Sequence, residues 1–178
     1  MLPIVQLGDP VLRQVARPLA ANEIVSLGDL IDEMRDTMRA APGVGLAAPQ
    51  IGRSIQLAVI EDPPQRHAQL SPEELAARER AAVPFHVIVN PKLTVIGDEV
   101  VDAFEGCLSF EGFVMIVRRA HRVHVDALDE HGKPIAIDAS GWYARILQHE
   151  IDHLHGIVCC DRMDPRTLAT GANHRRFG

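Results

Sequence analysis

The stretch QHEIDHLHG at 148–156 sets His149 and His153 four residues apart with Glu150 beside the first of them. If it is helical, the two imidazoles stand one turn apart on one face and can grip a single cation, with Glu150 about 100° round at its edge. A divalent metal there would activate a water and Glu150 would handle its proton, which points to hydrolysis. Two core histidines that merely hydrogen-bond backbone are the plainer alternative, but an i, i+4 pair with a glutamate interposed fits metal chemistry better. His155 falls about 200° from His153 on the same wheel, too far round to join, and reads as a solvent or capping histidine.

Catalytic centres of this kind use three protein ligands and keep one position open for water, so a third donor is needed. Cys159 lies near at hand: Gly156 and Cys159 fall where extended protease motifs place a glycine and a third ligand, and that choice makes the chain a metalloprotease. Cys107, in EGCLSF at 105–110, is the second candidate. Ligand chemistry alone does not choose between two thiolates. Context favours Cys107, because GIVCC at 156–160 reads as a buried strand with inert thiols, whereas Cys107 follows Gly106 and precedes a polar turn. A closed structural site with four protein ligands and no water is a further, non-catalytic alternative.

Three segments together carry a resemblance. GVGLAAPQIG at 43–52, EGCLSF at 105–110 and QHEIDHLHG at 148–156 resemble the signature motifs of the peptide deformylases, in that family's order, and the similarity extends from GDPVLR at 8–13 to DRMDPRTL at 161–168. The resemblance implies an enzyme that removes the formyl group from the N-terminal methionine of new polypeptides. It makes Cys107, His149 and His153 the metal ligands and Glu150 the general acid and base. It assigns Gln50 and the backbone N–H of Leu108 to the oxyanion, and Gly45 to the backbone lining the substrate. It also suggests an ion pair between Glu105 and Arg119, with Arg118 as the rival partner. One divalent metal per chain is implied, iron(II) in the cell, with zinc, nickel or cobalt also suited to the donors. Formyl-methionyl nascent peptides are the implied partners, with transient ribosome contact. The stretch 62–84 departs from the family pattern, which connects these strands more briefly, and so bears on the rim of the cleft.

The loop before Gln50 supports that placement on residue grounds. Gly43 and Gly45 flank it, and Ala47 and Ala48 are small enough to let it pack on the metal helix. No GK[ST] follows and no dinucleotide pattern is present, so a phosphate loop is set aside.

Several elements must hold these residues in place. For the metal helix, Ser140 is the expected cap, Trp142, Ile146, His149 and His153 share a side, and Gly156 is the stop. Asp9 and Pro10 open a short helix. Ile24, Leu27, Ile31, Met34 and Met38 mark one longer amphipathic helix ended by Gly43, its methionines in the core. IQLAVIE at 55–61 and HVIVN at 86–90 read as strands. DPPQRHAQ at 62–69 is a loop, and 71–82 adds helical turns with Ser71 as cap and Glu74 closing a capping box. Period-two stretches fill 114–129, and PIAIDA at 134–139 returns as a hairpin partner across DEHGK. His174, Arg175 and Arg176 read as a frayed tail. The fold class is α+β, with antiparallel sheets packed around a central metal-binding helix, and residues 1–178 are expected to make a single catalytic domain.

Composition agrees with a small soluble enzyme: 178 residues, 47% hydrophobic, fit one domain with a real core. No apolar run approaches the length of a membrane span. The first residues, MLPIVQLGDPVLR, carry no signal-peptide pattern. Three cysteines, one claimed for metal, argue for a reducing compartment, so the bacterial cytoplasm is expected, although a trimmed organellar protein reads the same. A formal charge of −6 disfavours a specific nucleic-acid surface.

Overall fold

Helix, strand and turn follow local chemistry closely in the first half of the chain. The computed structural model describes residues 1–68 and 70–177. Asp9 accepts a hydrogen bond from the Val11 N–H and starts a single 3-10 turn, Pro10–Arg13. The expected long amphipathic helix is two helices, α1 (Ala21–Ile24) and α2 (Gly28–Ala40), because the chain breaks at 25–27. Ile24, Ile31, Met34 and Met38 nonetheless join one buried cluster. Helix α2 stops before Pro42, which forces Ala41 out of the helical region.

Strand β1 (Gly45–Ala47) and a 3-10 turn, Ala48–Ile51, lead to β2 (Leu57–Asp62). Next come α3 (Pro72–Ala77) and β3 (Val83–Val95). The Ser71 and Glu74 capping box forms as expected, with the Glu74 N–H donating to Ser71 Oγ at 3.2 Å and the Ser71 N–H to the Glu74 carboxylate at 2.8 Å. Strand β3 outruns the expected 86–90 because it serves two partners: Val83–Val89 pairs with β2, an irregularity at Asn90 and Pro91 turns the chain, and Val89–Val95 pairs with β6 (Arg122–Leu128). Strands β4 (Val100–Cys107), β5 (Phe110–Ala120) and β7 (Pro134–Ser140), helix α4 (Gly141–Leu154), β8 (Ala169–Thr170) and α5 (Gly171–Phe177) complete the chain.

Two antiparallel sheets result, one in the order β1-β2-β3-β6-β7 and one in the order β4-β5-β8. The hairpin of β6 and β7 closes across DEHGK as expected, pairing Leu128 with Pro134. Strand β2 of the larger sheet is buried on both faces. Leu57 and Val59 pack toward α2, whereas Ala58 and Ile60 pack toward Ala144, Leu147, Ile151 and Leu154 of α4. That explains why β2 reads as an unbroken apolar run. Helix α4 thus sits inside the fold and touches strands of both sheets, the α+β arrangement expected from the sequence.

Three further local expectations fail. The GIVCC segment is not a strand: Cys159–Asp161 forms a 3-10 turn, with Cys159 buried. The terminal residues are not frayed, since α5 forms and the His174 ring lies 4.0 Å from that of Phe104. Ser140 precedes α4 but makes no side-chain cap to it; its hydroxyl donates to Glu79 at 2.7 Å.

The cap of α4 comes instead from the unusual 62–84 segment. The Trp142 N–H donates to the Arg78 carbonyl at 2.9 Å, and Glu79 accepts from Ser140 and pairs with His121 at 2.6 Å. A carboxylate at a helix N-terminus also meets the positive end of its dipole. The segment is tied back at Asp62, which is fully buried and takes both Arg80 nitrogens at 2.8 Å, with His67 3.2 Å away. Contact is so close that a Cβ on Gly141 would lie 2.5 Å from Glu79 Cβ.

Candidate metal centre

The central face of α4 presents His149 and His153 toward the β4–β5 hairpin, whose turn is Leu108 and Ser109. Pairing shifts register between Gly106 and Cys107 just before that turn. A bulge re-aims the side chain that follows it, and here Cys107 Sγ comes 3.3 Å from His153 Nε2. Gly106 is not required by crowding, since an added Cβ would meet only ordinary contacts at 3.6 and 3.7 Å.

Cys107, His149 and His153 each offer one ligand atom, and these atoms all lie within 4.8 Å of one another. A tetrahedral ion with bonds of about 2.0 to 2.3 Å holds its donors only a little closer than this, so the set fits such an ion. Among the described residues no fourth donor joins the group. Cys159 packs behind Cys107 with Met115 and Val117 and stands outside it.

Around the donors lies a shell of charge. Glu105 accepts from His149 Nδ1 at 2.9 Å, which leaves Nε2 facing the other donors and raises the basicity of the ring. Glu105 also takes Arg119 at 2.9 and 3.0 Å and Arg145 at 2.7 Å. Arg119 is therefore the partner, while Arg118 pairs outward with Asp102. Arg119 continues to Asp152, which Arg162 holds at 2.7 and 2.8 Å. Burial works against the Glu105 charge, yet His149 and Arg119 overcome it and hold the carboxyl well below its usual range. Burial likewise opposes charge on His149, and Glu105 reverses it, raising the ring to about 9. His153 is held neutral, first by burial and then by the charge of His149.

Glu150 is only 4% exposed, and burial pushes its pKa up to about 7. Its Oε2 is buried with no hydrogen-bond partner among the described residues. Gly45 explains how it fits: a Cβ there would sit 2.2 Å from Glu150 Oε1. Gln50 is anchored by the Ala47 N–H, which donates to its Oε1 at 2.8 Å. That bond aims Nε2 at Ser109 Oγ, 3.3 Å away, and at the Cys107 sulfur, 3.6 Å away.

Gln50, Glu105, Cys107, His149 and Glu150 line a cleft of about 1270 Å³. Its walls include Gly43, Gly45, Leu108, Trp142 and Ile146, and the 62–84 segment adds Gln65, Arg66 and Arg80. The rim is thus built partly by that departing stretch, with Arg80 stacked 4.8 Å over the Trp142 ring. His155 is exposed at the end of α4, as expected, and Gly156 turns the chain with φ +72°. Sequence reasoning missed Ser109, Asp152 and Arg145. Arg145 alone carried a signal, a cation one turn before His149 on a buried face.

The chain is similar to known proteins along most of its length. A sequence profile described as polypeptide deformylase matches residues 1–169. Peptide deformylase 3 of Streptomyces avermitilis is 47% identical over 170 residues, covering 95% of this chain and 74% of that protein. The chloroplastic peptide deformylase 1A of Solanum lycopersicum is 46% identical over 172 residues, 96% of this chain but 62% of the plant protein. The chain therefore spans less than two thirds of that relative. A crystal structure of an Acinetobacter baumannii class I type b peptide deformylase with Met-Ala-Ser bound superposes with a TM-score of 0.80 at 33% identity, covering 92% of this chain and 98% of that one.

Proposed function

The chain belongs to the polypeptide deformylase family, and from that premise we propose that it hydrolyses the formyl group from formyl-methionine at the start of new polypeptides, releasing formate. The observation that carries the reading is the trio Cys107, His149 and His153, the first two lining a peptide-sized cleft together with Glu150 and Gln50. We take residues 1–178 as a single catalytic domain.

Cys107, His149 and His153 would hold one divalent cation, which supplies Lewis acidity to the formyl oxygen and to the attacking water. Glu150 takes the proton released by that water and returns it to the departing amine nitrogen. Its burial beside Gly45 keeps solvent from competing for the proton. Gln50 Nε2 and the Leu108 N–H donate to the oxyanion, and donors fixed in this way cost no reorganisation when charge develops. Gly45 gives the substrate backbone room along the wall while sparing space for Glu150.

Iron(II) is the proposed metal in the cell, and zinc, nickel and cobalt suit the same donors. Nascent formyl-methionyl peptides are the proposed substrates, met through transient contact with the ribosome. The bacterial cytoplasm is the proposed setting. No described helix is long and apolar enough to cross a membrane.

The test is formate release from formyl-Met-Ala by anaerobically prepared, iron-loaded protein, with metal content measured alongside. Wild type should turn over repeatedly, Cys107→Ala should lose both metal and activity, and Cys159→Ala should keep both. Cleavage of internal peptide bonds without formate, or metal retained by Cys107→Ala and lost by Cys159→Ala, would move the assignment to a protease.

A further inference from the structure

Cys159 is a second thiol against the metal site that the reaction does not use. Cys107 packs against the buried cluster that Cys159 forms with Met115 and Val117. They differ in access. Cys107 lines the cleft, where small solutes enter, whereas Cys159 is 2% exposed behind it. The turn that carries Cys159 is held rigidly, since Asp161 accepts the Val158 N–H at 2.9 Å and pairs with Arg13. Cys160, next in sequence, is only half-buried and also packs against that cluster. All three cysteines are free thiols.

We propose that Cys107 and Cys159 form an oxidative modification site: a hydroperoxide entering the cleft drives a reversible disulfide between them, with Cys159 as the resolving thiol. The Cys107 sulfur attacks the outer oxygen of the peroxide, the O–O bond breaks, and a sulfenic acid forms as hydroxide or alkoxide leaves. Cys159 then attacks that sulfur; the S–O bond breaks, the S–S bond forms, and the Cys159 proton departs with the hydroxyl as water. Two thiols lose two electrons in total and the peroxide gains them. The product lacks one of the three metal donors, so the cation is released. Cys107 is at the same time kept from the sulfinic and sulfonic states, which thiol reductants do not reverse.

The experiment treats the metal-loaded full chain with hydrogen peroxide, then counts free thiols, measures bound metal and maps peptides without reduction. Free thiols should fall from three to one, metal should leave, and the map should join Cys107 to Cys159. A dithiol reductant with added metal should restore both. Cys159→Ser should instead carry Cys107 to the sulfinic acid with no recovery, while Cys160→Ser should behave as wild type. Sulfinic Cys107 in the wild type beside a free Cys159, or a link through Cys160, overturns the proposal. The wild-type map decides the matter even if a cysteine variant fails to fold. Metal release rests on the proposed placement of Cys107 among the ligands, but thiol counts and the map need no substrate. They report on the disulfide whether or not formate is made.

Discussion

Gly45 and Glu150 act as one unit, because the space beside the glycine is the space the carboxylate occupies. Gly45→Ala would drive the Glu150 side chain out of place without touching a metal donor. We expect metal content to hold while kcat for formate release falls about 100-fold, on the scale of general acid–base catalysis. Glu150→Gln should give the same pattern with a loss at least as large; an active Glu150→Gln enzyme would assign the proton to another group. Gln50→Ala removes one proposed oxyanion donor, for which about 3 to 4 kcal/mol of transition-state stabilisation is typical. Its loss should appear in kcat more than in KM. A variant weakened only in KM would mean that Gln50 binds substrate and leaves the developing charge alone.

Helix α4 carries the chemistry but depends on a distant segment for its start. Trp142 donates to Arg78, and Glu79 stands at the helix end in a left-handed backbone conformation with φ 46°. Glu79→Ala removes the acceptor of the Ser140 hydroxyl and the partner of His121, and should cost about 1 kcal/mol, the usual worth of a hydrogen bond, read from urea unfolding. Asp62 is a stronger anchor because it is fully buried and paired with Arg80. Removing one partner of a buried pair leaves an uncompensated charge, so Asp62→Ala should destabilise by about 3 to 5 kcal/mol. If instead Asp62→Ala left unfolding unchanged, the segment would be an ornament on the rim with no hold on the helix.

Across the whole molecule, α4 is also stitched to the larger sheet through Tyr143, whose hydroxyl donates to His86 Nε2 at 2.9 Å while His86 Nδ1 donates to the Pro84 carbonyl at 2.9 Å. The bond from Tyr143 needs a neutral imidazole, whereas the one to Pro84 survives protonation. Burial lowers the His86 pKa below its ordinary 6.5, so the unfolded chain binds this proton more readily than the folded one. The sign follows: the contribution is complete above pH 6.5 and is lost as pH falls from there through the folded value. Unfolding free energies measured from pH 7.5 down to 5.5 should therefore decline more steeply for wild type than for His86→Gln. Parallel curves would show that His86 does not link protonation to folding.

The metal motif was legible because its geometry lies within one helix: the spacing of His149, Glu150 and His153 fixes their relative directions before any tertiary contact forms. The same holds for the Ser71 and Glu74 box and for the hairpin across 129–133, where neighbours in sequence satisfy one another. Cys107 was legible as the favoured of two thiols from its local setting after Gly106, and the family resemblance strengthened that choice, but no local feature shows how near either sulfur comes to the histidines. Tertiary structure decided the rest: that the Arg78 carbonyl caps α4 in place of the Ser140 side chain, that Arg145 shares Glu105 with Arg119, and that Cys159 backs Cys107. Each of those contacts joins residues far apart in the chain. Which long-range partner wins is set by burial and by unmet charge inside the packed fold, and the order of residues alone does not contain that information.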